Sequence, residues 1–216
     1  NGYLETLEGL SSNIAREVIR PARFIERKKP RMTMTGTYYP AIKGEPVPNN
    51  VSLSNNMIIT GPNAAGKTTL LKSTIVNVLV SQQTGYGFYE KAELTPFDYI
   101  HCYLNIPDTS ARDSLFQAEA RRCKKILDII ETDSGAKHFC IFDELYSGTN
   151  PYEAIGSAYS YLRYVSKFPG VRFMITTHFV RLCNLFEKLK GTSNKHMEAS
   201  IAENGPAYSY RLKSGI

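Results

Sequence analysis

The sequence holds only four cysteines in 216 residues, and none stands in a CxxC pair or beside paired histidines. Cys102, Cys123, Cys140 and Cys183 are too far apart for a zinc cluster and too few for a disulfide framework, so a reducing, intracellular setting is expected. Long apolar runs are also missing. The longest, Ile75–Val80, is six residues and includes Asn77, far below the roughly 18–20 residues of a membrane span. No charged-then-apolar leader opens the chain, which begins at Asn1 rather than Met; a piece excised from a longer protein is expected. Internal repeats and low-complexity tracts are absent. At 42% hydrophobic content the chain can build one core, so disorder is excluded and one domain with an appendage is the ceiling.

The net charge of +6 is unevenly spread. Residues 1–43 carry eight basic and four acidic side chains, and the remaining 173 residues are nearly balanced. A basic N-terminal segment on a near-neutral body suits phosphate contacts or merely a solvated helix face. Within it, Leu4, Leu7, Ile14, Ala15, Val18 and Ile19 recur at helical spacing, which predicts helix on each side of a break at Gly9–Ser12. Residues 31–56, rich in Thr, Pro, Asn and Gly, read as short strands and turns.

From residue 57 onward short apolar runs alternate with helical patterns. Strands are expected at 57–60, 99–104, 139–142 and 173–177, and helices at 67–83, 115–132, 152–165 and 179–189. Apolar runs without alternation fit strands buried on both faces, so the pattern predicts an α/β sandwich on a mostly parallel sheet. Met197–Ala202 and Tyr208–Leu212, joined through Asn204-Gly205-Pro206, predict a C-terminal β-hairpin.

Two motifs carry chemistry. Gly61-Pro62-Asn63-Ala64-Ala65-Gly66-Lys67-Thr68, with Thr69 following, matches G-x-x-x-x-G-K-[ST] between an expected strand and an expected helix. Such a bend turns successive backbone N–H groups toward one anion at a helix N-terminus; Lys67 would reach terminal phosphates and Thr68 would offer a hydroxyl to Mg²⁺. The run His138–Glu144 ends in two carboxylates at a strand's C-terminal end, where α/β folds bind ligands. Asp143 suits the Mg²⁺ shell and Glu144 the polarisation of an attacking water. Thr177-His178 follows the next strand, where a polar tip can face a γ-phosphate or simply cap a helix.

Together, Gly61-Pro62-Asn63-x-x-Gly66-Lys67-Thr68, Phe142-Asp143-Glu144-Leu145-x-x-Gly148-Thr149 and Thr177-His178-Phe179 resemble the ATPase domain of the MutS family, the mismatch-repair and DNA-junction clamp proteins. The resemblance runs from about Tyr39 to Ile216. It implies a P-loop NTPase of the ABC-like three-layer type with a C-terminal hairpin, spanning residues 36–216. It also implies that residues 1–35 are a helical connector from a lever domain outside the chain. Implied too are ATP and Mg²⁺, hydrolysis to ADP and phosphate, and a dimer with itself or a paralogue in which each nucleotide is completed by the partner. DNA would be held by domains outside this chain, and no membrane is involved. By position, Asn63 would order phosphates and water, His178 would sense the γ-phosphate beside Glu144, and Ser114 would reach the partner's nucleotide. The Ser147–Ala154 loop would cross the dimer interface. From the residues alone, Ser114 is a helix N-cap with Gln117 as its capping-box acceptor, and 147–150 is a turn and N-cap.

The sequence departs from that family at several points. Ala65 replaces the first glycine of Gly-Gly-Lys and cannot freely take a positive φ; Thr68 replaces the commoner serine. Pro46 stands where the family has its base-stacking aromatic, with Tyr38 or Tyr39 as substitutes or as packed aromatics. Asn150-Pro151 points to a divergent branch, and the chain stops at Ile216 where the family's dimer-locking helices begin. Two other functions remain open from the sequence: a nucleotide-gated dimerisation module with negligible hydrolysis, and another DNA-linked ABC-type ATPase. No Leu-Ser-Gly-Gly-Gln precedes Asp143, which argues against a transporter subunit.

Overall fold

A computed structural model describes residues 2–104, 115–202 and 205–216. In chain order the elements are α1 (Gly2–Ala15), β1 (Arg20–Phe24), β2 (Met32–Thr37), β3 (Asn49–Ser52), β4 (Asn56–Thr60), α2 (Lys67–Thr84), β5 (Tyr86–Gly87) and β6 (Lys91–Leu94). There follow β7 (Tyr99–Tyr103), α3 (Leu115–Thr132), β8 (His138–Asp143), α4 (Pro151–Val165), β9 (Val171–Thr177), α5 (Val180–Glu187), β10 (Thr192–Ala202) and β11 (Gly205–Ser214). The described residues thus form a mixed α/β fold with two multistranded sheets and five helices.

The larger sheet has the order β11-β10-β4-β9-β8-β7. Its pairs from β7 through β10 are parallel, and only the terminal hairpin β10–β11 is antiparallel. Period-two alternation puts Met57 and Ile59 of β4, Phe139 and Ile141 of β8, and Met174 of β9 on one face. Ile58, Cys140, Phe142, Phe173 and Ile175 fill the other face against α3, α4 and α5. Cys140 is fully buried, as a small core residue would be.

The second sheet, β3-β2-β6-β1-β5, packs over α2, which therefore lies between the two sheets. Burial on several sides explains why α2 lacks a polar stripe: Leu70, Leu71, Ile75 and Val78 share its interior with Ser73, Asn77 and Ser81. These polar groups are satisfied across the seam. Asn77 Nδ2 donates to Thr37 Oγ1 and to the Tyr38 carbonyl, both at 3.0 Å, and Asn77 Oδ1 accepts from the Phe88 N–H at 2.6 Å. Ser81 Oγ meets Tyr89 OH at 2.9 Å. The helix stops at Gly85, whose φ of 79° lets its N–H reach the Ser81 carbonyl.

The N-terminal expectation needs correction. Gly9 does not break α1, which runs through to Ala15 and ends where Glu17 turns left-handed at φ 56°. The second expected helix is instead β1, paired with β6 in parallel and β5 antiparallel. Pro21 is the reason: it removes a donor and pushes Arg20 out of the helical region, so the apolar spacing could not continue as a helix. β1 and β2 belong to the same sheet as β3, β5 and β6. The terminal hairpin formed as expected but is longer than read, 192–202 with 205–214. Among the described residues no helix is long and apolar enough to cross a membrane.

Candidate nucleotide site

β4, β8 and β9 are parallel neighbours, so their C-terminal ends deliver Thr60, Asp143 and Thr177 to one edge of the sheet. The chain leaves β4 at Gly61, bends through residues 62–66, and enters α2 at Lys67. No side chain caps α2, so the first-turn N–H groups, which an α-helix cannot satisfy internally, are offered by the bend itself.

The strain in this bend sits one residue earlier than expected. Ala64, not Ala65, takes the left-handed φ of 65°, beside Gly66 at 94°. Ala65 lies outside that region and is fully buried in the core under α2. The alanine at 65 therefore poses a packing question, while the conformational cost, about 1–2 kcal/mol for a non-glycine residue, falls on Ala64.

Lys67 is nearly buried. Its Nζ donates to the carbonyls of Gly61 at 2.9 Å and Pro62 at 3.1 Å and lies 3.4 Å from Glu144 Oε1. Thr68 Oγ1 donates to Asp143 Oδ2 at 2.8 Å. Glu144 itself is held at a left-handed φ of 51°, a strained setting for a residue of this type at the end of a strand. The half-exposed His178 brings Nδ1 to 3.9 Å from Glu144 Oε1, beyond hydrogen-bond reach but within electrostatic reach.

A cavity of about 650 Å³ opens beside this cluster. Asn63, Ala64, Gly66, Lys67, Thr68, Thr69 and Glu144 form its floor; Tyr38, Tyr39, Pro46, Asn49 and Tyr210 form its wall. Gly61, Pro62 and Ala65 belong to the bend without lining the cavity. A smaller cavity of about 280 Å³ continues past Thr68 to Asp143, Glu144, Tyr103, Glu119 and Ser147. Glu119 is buried there and accepts from Tyr103 OH at 3.0 Å; burial raises its pKa, opposed by that hydroxyl and by backbone N–H groups of residues 146–148. The loop after Glu144 ends at Asn150, whose side chain accepts from the Glu153 N–H at 3.0 Å as the N-cap of α4, with Pro151 in the first turn.

The sequence-predicted residues Lys67, Thr68, Asp143, Glu144 and His178 are thus brought together, and Asn63 and Thr69 line the same cavity. Ser114 lies outside the described residues. Of the two candidate substitutes for the missing aromatic, Tyr38 is a packed residue: its hydroxyl donates to the Val18 carbonyl and its ring meets Phe88 edge-on. Sequence reasoning missed Tyr210, whose ring carbon would lie 3.1 Å from a Cβ at Gly66. It reaches the cavity because Asn49 ties β11 down, donating to the Tyr210 carbonyl at 2.9 Å and accepting from the Leu212 N–H at 2.7 Å. Only the pattern of aromatics in 208–210 could have hinted at it.

The donor set fits a nucleotide with a divalent cation. An ammonium and a helix N-terminus face one cavity, and a hydroxyl and a carboxylate already lie 2.8 Å apart at its junction with the second.

Over 188 residues the chain is 29% identical to the DNA mismatch repair protein MutS of Persephonella marina, covering 83% of this chain and 21% of that protein. It is 29% identical over 173 residues to the MutS of Aquifex pyrophilus and 28% identical to that of Staphylococcus haemolyticus, in each case covering 78% of this chain. The chain therefore spans about a fifth of the length of these relatives. Residues 57–216, from β4 to the C-terminus, match the family described as MutS domain V, and the chain belongs to that family.

Proposed function

We propose that this chain binds ATP and hydrolyses it to ADP and phosphate as the motor domain of a mismatch-repair or junction-binding protein. The observation that carries the reading is the convergence of Lys67, Thr68, Asp143 and Glu144 on the junction of the two cavities. In this reading the fold is a P-loop NTPase of the ABC-like kind, α1 is the remnant of a connector to other domains, and DNA is held by those domains. The working unit is a dimer with itself or a paralogue, joined across the nucleotide.

Each residue then has a task. The bend 61–66 and the start of α2 receive the phosphates through backbone N–H groups, with Asn63 and Thr69 at the rim. Lys67 would exchange the Gly61 and Pro62 carbonyls and Glu144 for phosphate oxygens. Thr68 and Asp143 would hold Mg²⁺, which when bound neutralises charge on the phosphates. Glu144, released from Lys67, accepts a proton from the attacking water, and His178, 3.9 Å from Glu144, would sense the γ-phosphate. Tyr39, Pro46 and Tyr210 face the base, and Ser114 of the partner completes the site.

The test is steady-state hydrolysis by wild type and Glu144→Gln, with nucleotide binding followed in parallel. Loss of about 10²–10⁴-fold in rate with binding retained is expected for removal of a general base. Equal rates would remove Glu144 from the chemistry. The Lys67–Glu144 contact also favours a second reading, in which the isolated chain binds nucleotide and dimerises without turnover because its base is held by its own lysine. Sedimentation with ATP, with ADP and without nucleotide separates the two; a monomer under every condition counts against the dimerisation module.

A further inference from the structure

Asp143 and Thr176 are register partners on β8 and β9. Thr176 is fully buried, and its Oγ1 donates to Asp143 Oδ1 at 2.5 Å. Thr176 Oγ1 also accepts from the Glu144 N–H at 3.3 Å, while the Thr176 carbonyl takes that N–H at 3.1 Å. The other Asp143 oxygen receives the Thr68 hydroxyl. The carboxylate is therefore held from two sides, by a helix and by a neighbouring strand, and the Thr176 bond has the length of a charge-assisted O–H···O⁻ bond.

A β-branched residue is unremarkable in a buried parallel strand, and valine would fill the space equally well. What valine could not do is donate to Asp143. The adjacent Thr177 uses its hydroxyl locally, accepting from the Phe179 N–H at 3.0 Å as a turn cap. Thr176 instead spends its single proton on the carboxylate and its lone pair on the backbone of Glu144, joining the two acidic residues of the site.

We propose that Thr176 is a positioning residue that orients the Asp143 carboxylate for the divalent cation and anchors the strained turn carrying Glu144. The inference rests on the ATP–Mg²⁺ reading above. Its test uses the full chain with Thr176→Val and Thr176→Ser, titrating a fluorescent ATP analogue in EDTA and across a Mg²⁺ series, with circular dichroism and melting as checks on folding. Thr176→Val should bind the analogue in EDTA as wild type does but need about tenfold more Mg²⁺ for half-maximal effect, the scale seen when a ligand's hydrogen-bond partner is removed. Thr176→Ser, which restores the hydroxyl, should return the Mg²⁺ dependence to within about twofold of wild type, a window well inside that shift. Should the valine variant fail to fold, Thr176→Ala carries the same comparison. A valine or alanine variant with wild-type Mg²⁺ dependence, or a serine variant as impaired as valine, overturns the positioning role while leaving the ATPase reading intact. Wild-type binding that does not respond to Mg²⁺ at all would instead remove the ATP–Mg²⁺ reading, and this inference with it.

Discussion

Asn77→Ala tests how α2 is tied to the cavity wall. Asn77 is fully buried, and its amide spans the seam between α2 and the smaller sheet. Alanine leaves two backbone groups without that partner: the Phe88 N–H, bonded at 2.6 Å, and the Tyr38 carbonyl, at 3.0 Å. Thr37 Oγ1 keeps Ser73 at 3.4 Å, and the bond to the Ser73 carbonyl duplicates a helical acceptor already in use. Orphaning a buried backbone group costs about 1–3 kcal/mol. Both groups here are only partly buried, so the lower half applies and the pair loses about 3 kcal/mol. Alanine's better helix propensity returns about 0.5 kcal/mol. For a chain of this size each kcal/mol moves Tm by about 2–4 °C, so a fall of about 5–10 °C is expected. Urea unfolding and calorimetry are the assays. Because Tyr38 and Tyr39 leave the seam directly into the cavity wall, nucleotide affinity should fall as well. A loss of less than about 1 kcal/mol would refute the reasoning that the Phe88 N–H and the Tyr38 carbonyl depend on Asn77 for their partner.

Two further outcomes follow from the cavity and from the far edge of the sheet. Tyr210→Ala should weaken nucleotide binding by about tenfold, within the about 1–3 kcal/mol of a base–aromatic stack, while the Mg²⁺ dependence stays as in wild type; unchanged affinity in a fluorescent-nucleotide titration would exclude β11 from the site. Among the buried histidines, His138 Nε2 faces only the Asp133 carbonyl at 2.9 Å, so it carries the proton there and its Nδ1 accepts from His101 Nε2 at 3.1 Å. Burial, and then repulsion from His138, lower the His101 pKa from its ordinary 6.5 to about 4. His101 therefore contributes stability that is complete above pH 6.5 and is lost as pH falls toward 4, at most about 3 kcal/mol by linkage. Urea midpoints between pH 7 and 4.5 should fall less steeply in His101→Gln; identical slopes would show that folding does not lower the His101 pKa.

Much of the main sheet could be read along the chain because its strands are short, doubly buried and separated by helices. α3 matches its expected range, and β4, α2, β8, α4 and β9 differ by at most a residue or two at either end. The smaller sheet was far less legible. β1 is half-exposed and contains a proline, β5 has two residues, and β6 has four, so none presents a period long enough to count. A helical pattern in 15–19 then overran the Pro21 signal. The identity of α2 as a helix was plain, but its setting between two sheets was not, since the meaning of Ser73, Asn77 and Ser81 depends on what lies opposite them.

The candidate site was legible in the sequence: a glycine-bearing bend before Lys67 and Thr68, and an acidic pair after an apolar strand, form the pattern expected of a site for phosphate and a divalent cation. Those signals are local, because backbone geometry and side-chain type within a few residues determine them. What only the tertiary structure decided is everything that depends on neighbours distant in the chain. Strand register puts Thr176 on Asp143, a folded-back hairpin puts Tyr210 over Gly66, and the two-sheet seam seats Asn77 against Thr37 and Phe88. The left-handed alanine of the bend is likewise Ala64, while Ala65 lies in the core. Contacts of that kind are settled by which surfaces exclude water together, and no window of sequence contains both partners.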